Sequence, residues 1–235
     1  MRRVMVRVRG VIPVPPELGA AGPCLNGAAT CHAAGMPRTP APDRFDAAFY
    51  RRFYRDPRTR VATRTEFRLR ARLIGAFLRH TRLPVRSILD AGCGLGYFRE
   101  PLLAEWPRAR YTGLEVSEYL CRRYGWVQGS LAEFGPDERY DLVVCHDVLQ
   151  YLGAREATAA LRNLGQLCRG VLHFNALTEE DWRLHCDRRT TDRDVHLRPA
   201  AWYRRRLRRD FVDAGSCLFV HRSASVHLWE LERLG

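Results

Sequence analysis

The chain has 235 residues, 46% of them apolar, which is enough for one substantial core and sets a single α/β domain with additions as the prior. Its net charge of +13 has the sign that nucleic acid attracts, yet no lysine is present, so all 39 basic residues are arginine, a usage that GC-rich coding explains without selection for phosphate. No run approaches the roughly 18 apolar residues of a membrane span, and no internal repeat is visible.

The charge is unevenly placed. Residues 1–42 carry +4, residues 43–86 carry +9, and the remainder balances at zero. Prolines at 13, 15, 16, 23, 37, 40 and 42 among small residues predict an unstructured segment over 1–42. Arg7 and Arg9 interrupt what would be the apolar core of a secretory signal, and Arg2-Arg3 lacks the hydrophobic run that export needs. Met36 is an alternative start. Without an export signal the expectation is a cytoplasmic protein with reduced thiols. Eight cysteines occur with no C-x-x-C pair, and His185-Cys186 with His196 matches no strong ligand spacing, so no metal is expected.

Residues 43–82 predict two helices. Phe45, Phe49, Phe53 and neighbours mark the first, and Phe67, Leu73, Ile74, Phe77 and Leu78 mark the second, at i, i+3, i+4 spacing. Ser87-Ile88-Leu89-Asp90 then reads as a buried strand that runs into Gly92-Cys93-Gly94-Leu95-Gly96, where three alternate glycines let the backbone turn and approach a ligand closely. A helix follows over Tyr97–Glu105 and stops at Trp106-Pro107. Strand, glycine turn and helix form the ligand corner of a doubly wound sheet. A dinucleotide fingerprint needs a third glycine where this chain has Tyr97, and Asp90 before the loop suits a cation better than a diphosphate.

A second strand over Ala109–Val116 contains Glu115, 25 positions after Asp90, near the spacing at which a carboxylate takes ribose hydroxyls. Ser117 caps a helix that Gly125 ends, and a third strand over 125–128 leads to Ser130 and Leu131. The fourth strand, Tyr140–His146, is continuously apolar and predicts burial on both faces, as in a parallel sheet. A helix over Ala154–Cys168 broken by Gly170, a fifth strand over 170–177, a helix over Pro199–Asp213, and an antiparallel hairpin of Cys217–His221 with Ser225–Leu231 complete the pattern.

The run D-x-G-x-G-x-G from Asp90, the carboxylate Glu115 and the string YDLVVCHDVLQYL from Tyr140 together resemble the class I S-adenosylmethionine (SAM) dependent methyltransferases. The resemblance covers residues 45–234. It implies an α/β, doubly wound, seven-stranded, mostly parallel sheet of the Rossmann-like methyltransferase type, with an antiparallel C-terminal hairpin and N-terminal helices. By the same resemblance SAM is the methyl donor and S-adenosylhomocysteine (SAH) the product, and transfer proceeds by in-line displacement. Asp90, Gly92, Cys93, Gly94 and Gly96 then hold the methionyl part and ribose, Glu115 the ribose hydroxyls, and Ser130 with Leu131 the adenine. Cys145 and His146 face the sulfonium. Residues 43–86 form a lid with Tyr50, Tyr54 and Arg55 as candidates, over a core at 87–235.

No Asn or Asp precedes Pro-Pro-Tyr after the fourth strand and no Pro-Cys pair stands there, which weakens base-methylating readings. A small-molecule acceptor is the first expectation. Alternatives are an RNA or protein methyltransferase docking through the arginine-rich front end onto RNA or an acidic partner, and a silent SAM-binding protein. His146 is the first candidate base, followed by His173, Asp181 and His196. The polar insertion at about 178–198 is long for a simple connection and is the substrate-determining candidate.

Overall fold

The computed structural model describes residues 44–135 and 139–234, and the expectations for residues 1–42, Met36 included, lie outside the described residues. Asp46 accepts a hydrogen bond from Phe49 N and opens α1 (Ala47–Tyr50), which widens directly into a π turn over Arg51–Arg55. Such turns concentrate at functional sites. Helix α2 (Arg64–His80) begins with a reciprocal capping box between Thr63 and Glu66 and buries Phe67, Ala71, Ile74 and Leu78 along one face.

Seven strands form one sheet: β1 (Ser87–Ala91), β2 (Arg110–Glu115), β3 (Val127–Gln128), β4 (Tyr140–His146), β5 (Cys168–Asn175), β6 (Phe211–Asp213) and β7 (Leu218–His221). Their order is β3-β2-β1-β4-β5-β7-β6, with β7 antiparallel to both β5 and β6 and the other pairs parallel. The expected seven-stranded, mostly parallel architecture is therefore present. Helices α3 (Arg99–Glu105), α4 (Glu118–Tyr124), α5 (Ala154–Leu167), α6 (Glu179–Leu184) and α7 (Ala200–Leu207) connect the strands. Ser117 caps α4 and Gly125 ends it at φ +72°, as the sequence predicts.

Period-two alternation divides the core. Leu89, Val143, Cys145 and Leu172 pack with Leu161 and Leu164 of α5 and Tyr203 of α7, whereas Ile88, Leu142, Val144 and Val171 pack with Ile74 of α2 and Leu102 of α3. The sheet order reverses between β1 and β4, which opens a crevice beyond their carboxyl ends.

Three local expectations are corrected. Gly170 does not break α5 but lies inside β5, at a register shift opposite Asp141, where a Cβ would strike the Asp141 carbonyl oxygen. The last helix ends at Leu207 rather than Asp213, and Phe211–Asp213 extend along β7 instead. Residues 225–231 are consequently not a strand: both edges of β7 are taken, by β5 and β6, so no ladder remains for them. Leu228 is still buried, anchoring that segment to the core by its side chain. No helix among the described residues is long and apolar enough to cross a membrane.

Candidate active site

Two adjoining clefts lie in the crevice. The larger, of about 670 Å³, is lined by Phe49, Tyr50, Tyr54, Glu115, Ser130, His146 and Asp147 among others. The smaller, of about 450 Å³, is lined by Asp90, Cys93, Tyr97 and Phe98, and shares Tyr54, Gly92, Gly94, His146 and Asp147 with its neighbour.

The glycine turn owes its shape to left-handed backbone at Gly92, Gly94 and Gly96, with φ of +74°, +52° and +71°. Gly92 N and Cys93 N donate to Leu114 O at 2.8 and 3.1 Å, tying the turn to the end of β2. Gly94 N donates to Glu115 Oε2 at 2.8 Å, while Val116 N and Ser117 N donate to Oε1 at 2.9 and 3.0 Å. Burial pushes the Glu115 carboxyl up and these amides oppose the shift. Asp90 is 2% exposed and accepts from the Tyr111 hydroxyl at 2.5 Å. Burial raises Asp90 to about 7, against the lowering effect of that hydrogen bond.

Residues 89–170 match a family model described as a methyltransferase domain, over the stretch that builds the turn, Glu115 and His146. Over that stretch the chain is similar to methyltransferase domains. Curated relatives include a trans-aconitate 2-methyltransferase of Rhodopseudomonas palustris, 26% identical over 50% of this chain and 55% of that protein. A malonyl-[acyl-carrier protein] O-methyltransferase of Anoxybacillus flavithermus is 30% identical over 39% of each chain. The chain thus spans about half the length, or less, of the curated relatives it matches. Among solved structures, the N-methyltransferase NodS from Bradyrhizobium japonicum in complex with SAH has a TM-score of 0.54 at 20% identity, covering 77% of this chain and all of that one. Magnesium protoporphyrin IX methyltransferase from Synechocystis with bound SAH gives 0.54 at 22%, over 76% and 97%. At these identities the likeness shows the fold.

The structure gathers some sequence candidates and separates others. Gly92, Gly94, Glu115, Ser130, Leu131 and His146 line the larger cleft, and Asp90 and Cys93 the smaller. Gly96 packs under Trp126 instead. Cys145, expected beside His146 at the sulfonium, is a correction: alternation along β4 turns it into the α5 side of the core, fully buried and outside both clefts. His146 lies on the opposite face, its ring stacked on His173 with centroids 5.5 Å apart and planes 14° apart. Burial lowers both imidazoles to about 3, so both are neutral near pH 7. His173 lines neither cleft, and its two ring nitrogens are buried without a partner among the described residues.

Asp181 is occupied as part of the α6 cap, accepting the Thr178 hydroxyl at 2.6 Å. His196 is exposed and outside both clefts, joined to Gln150 only by its backbone, so neither residue stands where a base would act. Tyr50 and Tyr54 line the larger cleft with rings 5.8 Å apart. Arg55 points away, donating to the Tyr124 hydroxyl at 3.1 Å. Arg44 bridges to Asp192 at 2.6 Å and Asp194 at 2.7 Å, which fastens the start of this aromatic segment to the polar loop before α7. Sequence reasoning missed Asp147, which lines both clefts. Its signal was its place, the first residue past β4 at the carboxyl end of the sheet.

Proposed function

We propose that the chain transfers the methyl group of SAM to a small organic acceptor by in-line displacement. The observation that carries this reading is Glu115, a carboxylate 4% exposed at the end of β2 that the amide of Gly94 grips across the glycine turn. A buried acid in that register suits ribose hydroxyls. The donor set also fits a cationic cofactor: Asp90 and Glu115 line the clefts, and no arginine does so among the described residues.

Bound SAM supplies an already activated methyl group on sulfur. Asp90 and the turn from Gly92 hold the methionyl part, Glu115 orients the ribose, and Ser130 with Leu131 faces the adenine. Tyr50 and Tyr54, within a lid at residues 43–86, exclude water and align the acceptor, and the insertion at about 178–198 shapes its pocket. The core at 87–235 carries the chemistry. The named acceptors of the curated relatives, trans-aconitate and malonyl-[acyl-carrier protein], support a small acceptor group, free or carried. A reducing cytoplasmic setting belongs to the same reading, in keeping with six described cysteines that are all free thiols.

Calorimetric titration of the purified chain with SAM, SAH and NAD tests the reading. Binding of both sulfur compounds without NAD is expected, with a stabilisation of about 2.7 kcal/mol at ligand one hundred times its Kd. Binding of NAD alone, or of none of the three, refutes it.

A further inference from the structure

The methyl-transfer reading employs Asp90 and Glu115 and leaves the third carboxylate of the cleft walls unused. Asp147 is the most accessible of the three, its side chain 36% exposed where Asp90 and Glu115 are 2% and 4% exposed. Its φ of +57° is left-handed, a conformation that costs a non-glycine residue about 1 kcal/mol or more. Asn175, at the end of β5, holds it there at two points: the Asn175 carbonyl accepts from Asp147 N at 3.0 Å, and Asn175 Nδ2 donates to Asp147 Oδ1 at 3.1 Å. A strained carboxylate gripped in this way is fixed in direction while remaining open to the cleft.

Its neighbours are of one kind. The rings of Phe45, Phe49, Tyr50, Tyr54 and Tyr151 line the larger cleft with it. His146 Nε2 lies 3.4 Å from Asp147 Oδ2, while His146 Nδ1 is buried and has no partner among the described residues, although the side chain is only 6% exposed. With the ring neutral and Nε2 carrying its proton toward Asp147, Nδ1 is left as an acceptor. Arg70, half-buried on α2, acts on Asp147 and both imidazoles electrostatically but belongs to neither cleft wall. Carboxylates and aromatic faces recognise an ammonium group. They oppose a carboxylate acceptor, which would enter a site lined, among the described residues, by three acids and no cation.

We propose that the acceptor is an amine, bound as its ammonium ion against Asp147 and the aromatic wall. The inference rests on the methyl-transfer reading and names its substrate class. Asp147 pairs with the ammonium and takes one of its protons, which frees the nitrogen lone pair. That pair forms the N–C bond as the C–S bond breaks, and the C–S electron pair stays on sulfur. The products are an N-methylammonium ion and a neutral thioether. Burial raises Asp147 to about 6, so it is ionised near pH 7 and able to do this.

The test is made on the full chain saturated with SAH, titrated with phenethylamine and with its isostere 3-phenylpropanoate near pH 7.5. The ammonium should bind at least ~10-fold more tightly than the carboxylate, and Asp147→Asn should erase the preference. Asparagine accepts the left-handed backbone, and SAH affinity within about 2-fold of the parent certifies that the variant is folded. Equal or tighter binding of the carboxylate, no detectable binding of the ammonium, or a preference that survives in Asp147→Asn overturns the proposal. Failure of SAH itself to bind overturns the methyl-transfer reading, and this inference with it.

Discussion

Asp90→Asn should stabilise the empty protein and disable it. Asp90 lies 2% exposed, and burial raises its carboxyl from 3.8 to about 7. A carboxyl raised in the folded state is protonated there while the unfolded chain has already lost the proton, so its contribution to stability falls as pH rises from 3.8 to about 7. The slope is about 1.4 kcal/mol per pH unit, and the full cost above pH 7 approaches ~4 kcal/mol. Asparagine keeps an oxygen for the Tyr111 hydroxyl but introduces an amide whose burial costs about 1–3 kcal/mol if it finds no acceptor. The expected net gain near pH 8 is therefore about 2 kcal/mol, or roughly 4–8 °C in Tm. The amide cost does not depend on pH. Hence the stability difference between variant and parent should grow by about 3 kcal/mol between pH 5 and pH 8. Urea unfolding followed by tryptophan fluorescence at both pH values measures this, and SAH titration should show binding lost. A difference that is the same at the two pH values would refute the assignment of a buried, proton-retaining carboxyl.

Four further outcomes are expected. Glu115→Ala leaves the amides of Gly94, Val116 and Ser117 without their acceptor, so it should cost about 2 kcal/mol or more in urea unfolding and abolish the SAH-induced rise in Tm. Binding of the cationic cofactor should expel a proton from Asp90, seen as a dependence of calorimetric enthalpy on buffer ionisation, with affinity falling up to about tenfold per pH unit below pH 7. His173→Phe removes a base held at about 3 in the fold against 6.5 outside it. The stability this histidine contributes is full above 6.5 and lost as pH falls toward 3, so the variant should lose stability less steeply with acid, by about 1.4 kcal/mol per unit, in melts across that range. A double-mutant cycle of Arg44→Ala with Asp192→Ala should give a coupling of about 1 kcal/mol in urea unfolding, since the bridge is only 24% and 14% exposed.

The sequence was most legible where local chemistry and burial agreed. The continuous apolar run at Tyr140–His146 became the central strand with the predicted limits, and Ser117 with Gly125 bounded α4 as read. Legibility failed where pairing decided the outcome. Residues 225–231 alternate like a strand, yet nothing local shows that both edges of β7 are already taken. Phe211 and Val212 fit a helical face equally well until that ladder claims them. In the site, Asp90, the glycine turn and Glu115 were legible because spacing alone brings them to the crevice. Cys145 was misplaced because the strand-end position was read without the alternation that turns it inward. Asp147 was missed because the backbone that turns it into the clefts is a left-handed residue past the strand end, a conformation the sequence does not announce.

Four groups at this crevice shift in opposite senses, and together they set when it becomes attractive to a cation. Burial holds Asp90 and Asp147 up, at about 7 and about 6, and holds His146 and His173 down, both at about 3. Near pH 5 the folded protein keeps both aspartates protonated and both imidazoles neutral, whereas the unfolded chain carries two negative and two positive charges at the same residues. The proton counts balance, so these four groups leave stability nearly flat between about pH 4.5 and pH 5.5. Above pH 6 the folded aspartates ionise while the unfolded imidazoles lose their own protons near 6.5, so the counts stay balanced, and the crevice gains two negative charges with no cation in its walls among the described residues. Attraction for a positively charged ligand therefore rises with pH from these two carboxyls while the four groups together leave the stability of the empty fold nearly unchanged. A ligand bearing that charge adds its own binding energy to the fold, more so as the two carboxyls ionise, which couples occupancy of the crevice to its order.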